Sequence, residues 1–262
     1  MGFLQIDFSL RGTLTRTEKV VIGISTSVLL LAGWQISSWL GWLDPIFLPS
    51  PVAILSSLNT LLIQQNLLGN AGISIERILL AFTLSVVMAV PLGLLMSSYP
   101  VINAALEPVN DFIRYLPTPA LVPISIIWFG IGEETKIFLL WLGTFFQLIL
   151  LVVEDANRVP DEFIEMAKTL GAKPWQIIKD IIWPTMLPSL FNNLRVMLGW
   201  CWTYLILAEI VASDSGLGFI IWNARRYMQT DQMMAGVFVI GIIGMVSDQL
   251  MRSLHRRLFH YQ

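Results

Sequence analysis

Apolar residues along this chain fall in long uncharged runs separated by short polar stretches. Residues 20–43 form an uncharged run of 24 residues, which as a helix would extend ~36 Å and cross the hydrocarbon core of a bilayer. Its tryptophans, Trp34, Trp39 and Trp42, gather toward the far end as an interfacial belt would. The run is longer than the apolar part of a signal peptide and lacks a small-residue cleavage pattern, so it is expected to be retained. A second span covers 72–98, uncharged from 78 onward, with Pro91 and Gly93 predicting a kink near its far end.

The third candidate is interrupted. Residues 101–114 carry Glu107, Asp111 and Arg114, and the uncharged stretch 115–132 holds Pro117, Pro119 and Pro123. Prolines this dense cannot lie in one unbroken helix, because each removes a backbone donor and clashes with the preceding turn. Irregular backbone at membrane depth survives only where protein or an aqueous cavity covers it. The segment is therefore expected to face the protein interior. Spans at 137–153, 188–211 and 232–252 complete a count of six, with a polar stretch at 154–179 and a turn-rich loop at 213–218. Between 49 and 70, Ile54, Leu55, Leu58, Leu61, Leu62 and Leu67 recur at helical spacing, which predicts an element lying in the outer interface.

Basic residues set the orientation. Arg11, Arg16 and Lys19 precede the first span; Arg158, Lys168, Lys173 and Lys179 follow the fourth; Arg252, Arg256 and Arg257 follow the sixth. Six spans place all three groups, and both termini, in the cytoplasm. Arg225 and Arg226 fall outside and oppose the rule, but are outnumbered.

Composition narrows the function classes. The 262 residues are 55% hydrophobic and 13% charged, against roughly 25% charged in a soluble domain. A net charge of −2 gives no electrostatic footprint for nucleic acid. The lone Cys201 sits between Trp200 and Trp202 and is expected to pack. With only His255 and His260 in the basic tail, no catalytic centre or metal site is expected. The scattered methionines read as filler.

The stretch after span four is the most specific. Pro160 can open a helix, and Asp161 and Glu162 complement its dipole. Phe163, Met166, Ala167 and Leu170 then fall at i, i+3, i+4 and i+7 as one apolar stripe, ended by Gly171 as a left-handed terminator. Pro174 opens a second helix with Trp175, Ile178 and Ile182 on one face, until Pro184 and Pro188 interrupt it. An amphipathic helix pair on the cytoplasmic side is either a docking element for a partner groove or a loop lying on lipid.

Glu165-Met166-Ala167, Gly171 and Ile181-Ile182-Trp183-Pro184 resemble the coupling motif of ABC importer permeases: Glu-Ala-Ala, three residues, Gly, nine residues, Ile-x-Leu-Pro. Met166 and Trp183 depart from the pattern while the spacing holds. Residues 112–120, Trp128-Phe129-Gly130-Ile131-Gly132, Ala208-Glu209 with 215–218, and Leu48-Pro49-Ser50-Pro51 are similar to permeases of the nitrate, sulfonate, taurine and bicarbonate group. The resemblance implies the all-α type I importer transmembrane fold in a bacterial inner membrane. The domain plan it implies is 1–71 as N-terminus, first helix and outer linker, 72–252 as core with coupling loop 158–187, and 253–262 as tail. It further implies a second permease copy in a homodimer, two cytoplasmic ABC ATPases that bind ATP and Mg, and an extracytoplasmic solute-binding protein. No Gly-x-x-x-x-Gly-Lys-Ser/Thr phosphate loop occurs in this chain, so no cofactor is expected in it.

On that resemblance Glu165, Ala167, Gly171 and Pro184, with Phe163 and Leu170, would couple to the ATPase: Glu165 stabilising the loop or reaching the ATPase, Ala167 permitting close approach, Gly171 making the turn. Candidates for a path carrying a small anion or zwitterion are Arg114, Gln147, Arg195, Glu209 and Trp128. Arg114 either offers positive charge at the midplane or pairs with Asp111 or Glu107. Arg195 either snorkels or contacts substrate. Glu209 either ties down the 213–218 loop or borders the path. Gln147, where the family usually has proline after its paired aromatics, here Phe145 and Phe146, either meets an oxyanion or bonds between helices. Trp128, with Phe129, Trp200 and Trp202, either packs or gates. A secondary transporter could use the same broken helix but needs no docking loop and would show an internal repeat. A membrane enzyme would need convergent catalytic groups that are missing.

Overall fold

The computed structural model describes residues 14–42, 44–210 and 214–259. Arg11, Leu43, Val211, Ser213 and His260, each used above, lie outside the described residues. All regular structure among the described residues is helical.

Helix α1 (Arg16–Trp39) starts at Thr15, whose hydroxyl accepts from the Glu18 amide while Glu18 accepts from the Thr15 amide at 2.7 Å. This reciprocal cap satisfies two orphan donors. None of its residues is buried; it touches the rest mainly through the next helix and through Trp34, 6.2 Å from Phe238. Ser50 caps α2 (Pro51–Gln64), which buries Ile54, Ser57 and Leu61. The interfacial element is thus real as a helix, but one stripe packs on protein.

Asn66 adopts a left-handed conformation, φ 47°, and α3 (Leu67–Ser98) begins directly after it. The second span therefore starts at 67 rather than 72: the reversal at Asn66 lets Leu67, 4% exposed, join the core. The helix continues through Pro91. Ser74, Ala81, Ser85, Ala89 and Gly93 are buried along it. A Cβ on Gly93 would lie 2.6 Å from Val152, so the glycine permits the close approach of α6 (Glu133–Asn157). Ser85 and Thr144 share a buried hydrogen bond of 2.7 Å across this α3–α6 contact.

The interrupted span appears as α4 (Pro100–Arg114), a short turn at Thr118–Leu121 and α5 (Val122–Phe129), the two halves bent by 89°. Among the described residues, four helices, α1, α3, α6 and Thr230–Leu258, are long and apolar enough to cross a membrane, and the bent pair would make a fifth. The expected span at 188–211 corresponds to the 28-residue helix α9 (Trp183–Ile210), reached after α7 (Asp161–Thr169) and α8 (Pro174–Ile177).

Two expectations are corrected here. Pro184 and Pro188 do not end the second loop helix: α8 runs through a widened turn at Ile178–Ile182 into α9, and the Trp183 amide bonds to the Ile178 carbonyl. The wider turn precedes Pro184 and relieves the clash its ring would cause in a regular helix. Trp175 is exposed at 68%, and the buried face is Ile177, Ile178 and Ile182. Secondly, 217–218 are not loop. They open α10 (Leu217–Arg226), which buries Leu217, Gly218, Ile220, Ile221 and Ala224 before α11 (Thr230–Leu258).

Core packing forms two zones along α3, α6 and α9. One contains Ile78, Leu139, Leu205 and Leu217; the other contains Leu148, Val152, Met186 and Leu190 beside the α7–α8 loop. Lipid is as apolar as these side chains, so close packing and inter-helix hydrogen bonds, more than exclusion of water, hold such helices together.

Candidate translocation cavity and coupling loop

In the loop, Asp161 and Glu162 occupy the first turn of α7 as its dipole favours. Pro160 is the cap residue itself, with φ −60° and ψ 132°. Gly171 has φ +79°, and an added Cβ would meet nothing within 4 Å. Its requirement is therefore backbone conformation alone. Ala167 turns inward at 7% exposure, whereas Phe163, Met166 and Leu170 are 46%, 57% and 80% exposed. Apolar side chains are thus presented outward beside a crevice bordered by Leu170, Gly171, Gln176 and Ile181. Glu165 is exposed, and its carboxylate has no hydrogen bond or ion pair among the described residues. Pro184 is exposed at the start of α9.

A second feature is a cavity of about 540 Å³ between the α4–α5 break, α6 and α9. Arg114, Tyr115 and Thr118 line it from the break, Gln147 from α6, and Trp200 and Tyr204 from α9. Arg114 Nε donates to Asp111 at 2.9 Å, one terminal nitrogen donates to the Tyr115 hydroxyl at 3.1 Å, and its guanidinium lies 4.4 Å from the Tyr115 ring centre. Half-buried Gln147 makes no inter-helix hydrogen bond among the described residues and lines the cavity. A Cβ on Gly143 would sit 2.9 Å from the Tyr204 ring, so this glycine lets the ring lie against α6.

The other path candidates lie elsewhere. Arg195 is paired with Asp248 of α11, which also accepts from Arg252 at 3.1 Å. Trp128 is 62% exposed and edge-on to Phe129 and Phe138. Glu209, 1% exposed, belongs to an ionic cluster at the opposite end of the bundle from the loop. There Arg77, 2% exposed, makes two 2.6 Å bonds to Glu133, a 2.7 Å bond to Glu209 and a 2.9 Å bond to the Ser215 carbonyl. Lys136 reaches Glu133 at 2.8 Å. Glu209 also accepts from Ser74 and from the Gly218 amide, each at 2.7 Å, so a carboxylate sits at the start of α10 where the helix dipole favours it.

Gly216, φ +105°, passes so close that a Cβ would overlap Glu209 and lie 2.6 Å from Arg77. Arg77, Glu133 and Lys136 escaped sequence reasoning. The available signal was the adjacent charges Glu76 and Arg77 inside a long, mostly apolar segment, where an ionisable residue by default calls for a partner. Asp155, 1% exposed on α6, was missed because it falls in the polar stretch 154–179, just past the expected span. Among the described residues, no group of three or more His, Cys, Asp or Glu side chains is placed to hold a metal.

Residues 82–260 match the family described as binding-protein-dependent transport system inner membrane component. The taurine transport system permease protein TauC of Escherichia coli is 33% identical over 92% of this chain and 90% of its own length. The putative aliphatic sulfonates transport permease protein SsuC of Bacillus subtilis is 32% identical, covering 92% and 87%. The bicarbonate transport system permease protein CmpB of Synechocystis is 28% identical, covering 67% and 63%. Among solved structures, the inward-facing methionine ABC transporter MetNI superposes with a TM-score of 0.59 at 21% identity, covering 71% of this chain and 95% of that one. An amino acid ABC transporter gives 0.62 at 16% identity, covering 76% and 97%.

Proposed function

Because the chain belongs to the family of binding-protein-dependent transport system inner membrane components, we propose that its cavity carries a small anion or zwitterion and that loop 158–187 takes force from the ATPase. The chain is a multi-pass inner-membrane permease subunit of an ATP-binding-cassette importer, with the type I transmembrane fold. It is not an enzyme; hydrolysis belongs to a partner ATPase, and a solute-binding protein is the other partner. Family membership favours this over a secondary transporter.

The observation carrying the substrate class is the lining of the cavity, which contains one guanidinium, Arg114, paired with Asp111 outside the lining, and no carboxylate. Gln147 adds an uncharged donor. The permeases named for taurine, aliphatic sulfonates and bicarbonate support the same class. The outward apolar face of α7 supports docking of two ATPases, which bind ATP and Mg, onto a homodimer of this chain. In our reading α9 is the fifth of six crossings and α11 the sixth, both termini are cytoplasmic, and the core runs from 72 to 252 between linker and tail. Flanked by α3, α6, α10 and α11, α9 tolerates polar residues that a lipid-facing helix would not. Alternating access then follows from rocking of the two halves.

The test is purification of the importer with its binding protein, followed by mass spectrometry of the retained solute and uptake in vesicles. A sulfonate, taurine, nitrate or bicarbonate is the expected cargo. A retained cation or sugar would overturn the substrate class, and a permease that captures no ATPase would overturn the docking assignment.

A further inference from the structure

A carboxylate is buried at the base of the loop. Asp155 lies near the end of α6 at 1% exposure. One carboxylate oxygen accepts from the Ser189 hydroxyl at 2.6 Å and the other from Asn193 Nδ2 at 2.6 Å. Ser189 and Asn193 stand one turn apart on the same face of α9. Arg158 approaches only to 3.8 Å and is 68% exposed, so solvent screens it.

We propose that Asp155 is a positioning residue for energy coupling, locking the two stems of loop 158–187 together so that a push on α7 moves α6 and α9 as one body. This rests on the assignment of that loop as the ATPase-docking element. The bonds join α6 just before the loop to α9 just after it, closing the loop at its base. Val152, Ala156, Met186 and Leu190 form the apolar surroundings, where an aliphatic side chain would pack as well and avoid the desolvation of a charge. Packing alone therefore does not call for a carboxylate. Apolar contacts are non-directional and permit helices to slide or rotate past each other; two short hydrogen bonds from one carboxylate to donors one turn apart fix both register and rotation. The widened turn at Ile178–Ile182 sits inside the loop, where a displacement could be absorbed. The lock lies beyond it, on the membrane side.

The test uses the full permease–ATPase complex with a maleimide-reactive reporter, Val196→Cys, in the cavity and Cys201→Ala to remove the native thiol. The readout is the change in N-ethylmaleimide labelling rate on trapping with ATP and vanadate. Asp155→Leu keeps the packing and deletes the lock. It is expected to retain the ATPase and hydrolysis while the ATP-dependent change falls roughly 3- to 30-fold. Swapping the partners, Asp155→Asn with Asn193→Asp, restores a carboxylate–amide bond across the same gap and is expected to recover the response. A response in Asp155→Leu within about twofold of the parent overturns the proposal. If that variant does not assemble, the swapped pair decides: a complex that assembles but does not respond also overturns it. Phe163→Ala with Leu170→Ala separates the two claims. Retained ATPase capture by this pair sinks the docking assignment; lost capture beside an unaffected Asp155→Leu sinks only the lock.

Discussion

The two ends of the bundle are built in opposite ways. At one end the chain buries Arg77, Lys136 and Glu209 and knits them with Glu133, Ser74 and the backbone of 215–218. At the other, α7 leaves Phe163, Glu165, Met166 and Leu170 exposed and is shaped by its backbone, with Gly171 at φ +79°. The first arrangement stores stability in side-chain interactions that no partner supplies. The second leaves its side chains exposed, the face that the proposed docking would cover. Substitutions should accordingly separate stability from coupling, and five of them probe how cleanly.

Arg77→Ala should have the largest effect. It strands Glu209 without its cation and leaves the Ser215 carbonyl without that donor. Breaking a buried pair from one side costs about 3–5 kcal/mol, so the expected outcome is a strongly lowered thermal unfolding midpoint in detergent, or loss of the folded protein. A midpoint near the parent's would show that the cluster contributes little and would erase the contrast. Arg77→Lys keeps a charge but loses the forked geometry that serves Glu133 and Glu209 together, and should fall between.

A matched pair of glycines comes next. Gly216 and Gly171 both have positive φ, but an added Cβ at Gly216 meets Glu209 and Arg77, while at Gly171 it meets open space. Gly171→Ala should therefore carry only the conformational penalty, about 1–2 kcal/mol. Gly216→Ala adds steric overlap with the cluster and should be the more damaging by thermal unfolding. Equal losses would mean that backbone strain alone governs both sites. In transport assays the order should invert relative to stability: Gly171→Ala is expected to lower uptake per ATP hydrolysed in a protein that stays folded.

This contrast also explains what could be seen in the sequence. The loop was legible because its determinants are local: the spacing of Phe163, Met166, Ala167 and Leu170, the terminator Gly171, and a motif whose intervals are fixed along the chain. Its misread part was the continuation through Pro184, where a widened turn absorbs the proline, an adjustment that spacing does not encode. The long apolar helices were legible for the same local reason, except that 217–218, which open α10, read as turn residues. The ionic cluster was illegible because Arg77, Glu133 and Glu209 are far apart in sequence and meet only after α3, α6 and α9 have packed. Within the cavity, Arg114 and Gln147 line the wall, but Arg195, Trp128 and Glu209 do not. Nothing in an isolated span says which face its polar residue takes.

Glu165 gives the smallest stability effect and the sharpest form of the comparison. Its carboxylate is exposed on α7 and makes no bond within the chain among the described residues, so Glu165→Ala should change stability by no more than about 0.5 kcal/mol. If the loop docks an ATPase, the same substitution removes a charge whose partner lies on that subunit. Capture of the ATPase should then weaken by about tenfold, the size expected for one charge-assisted hydrogen bond, measured as the dissociation constant of the detergent-solubilised complex. A lowered unfolding midpoint with unchanged capture would place the role of Glu165 inside the permease, stabilising its own loop. The two ends of the bundle would then differ in degree of burial and not in purpose.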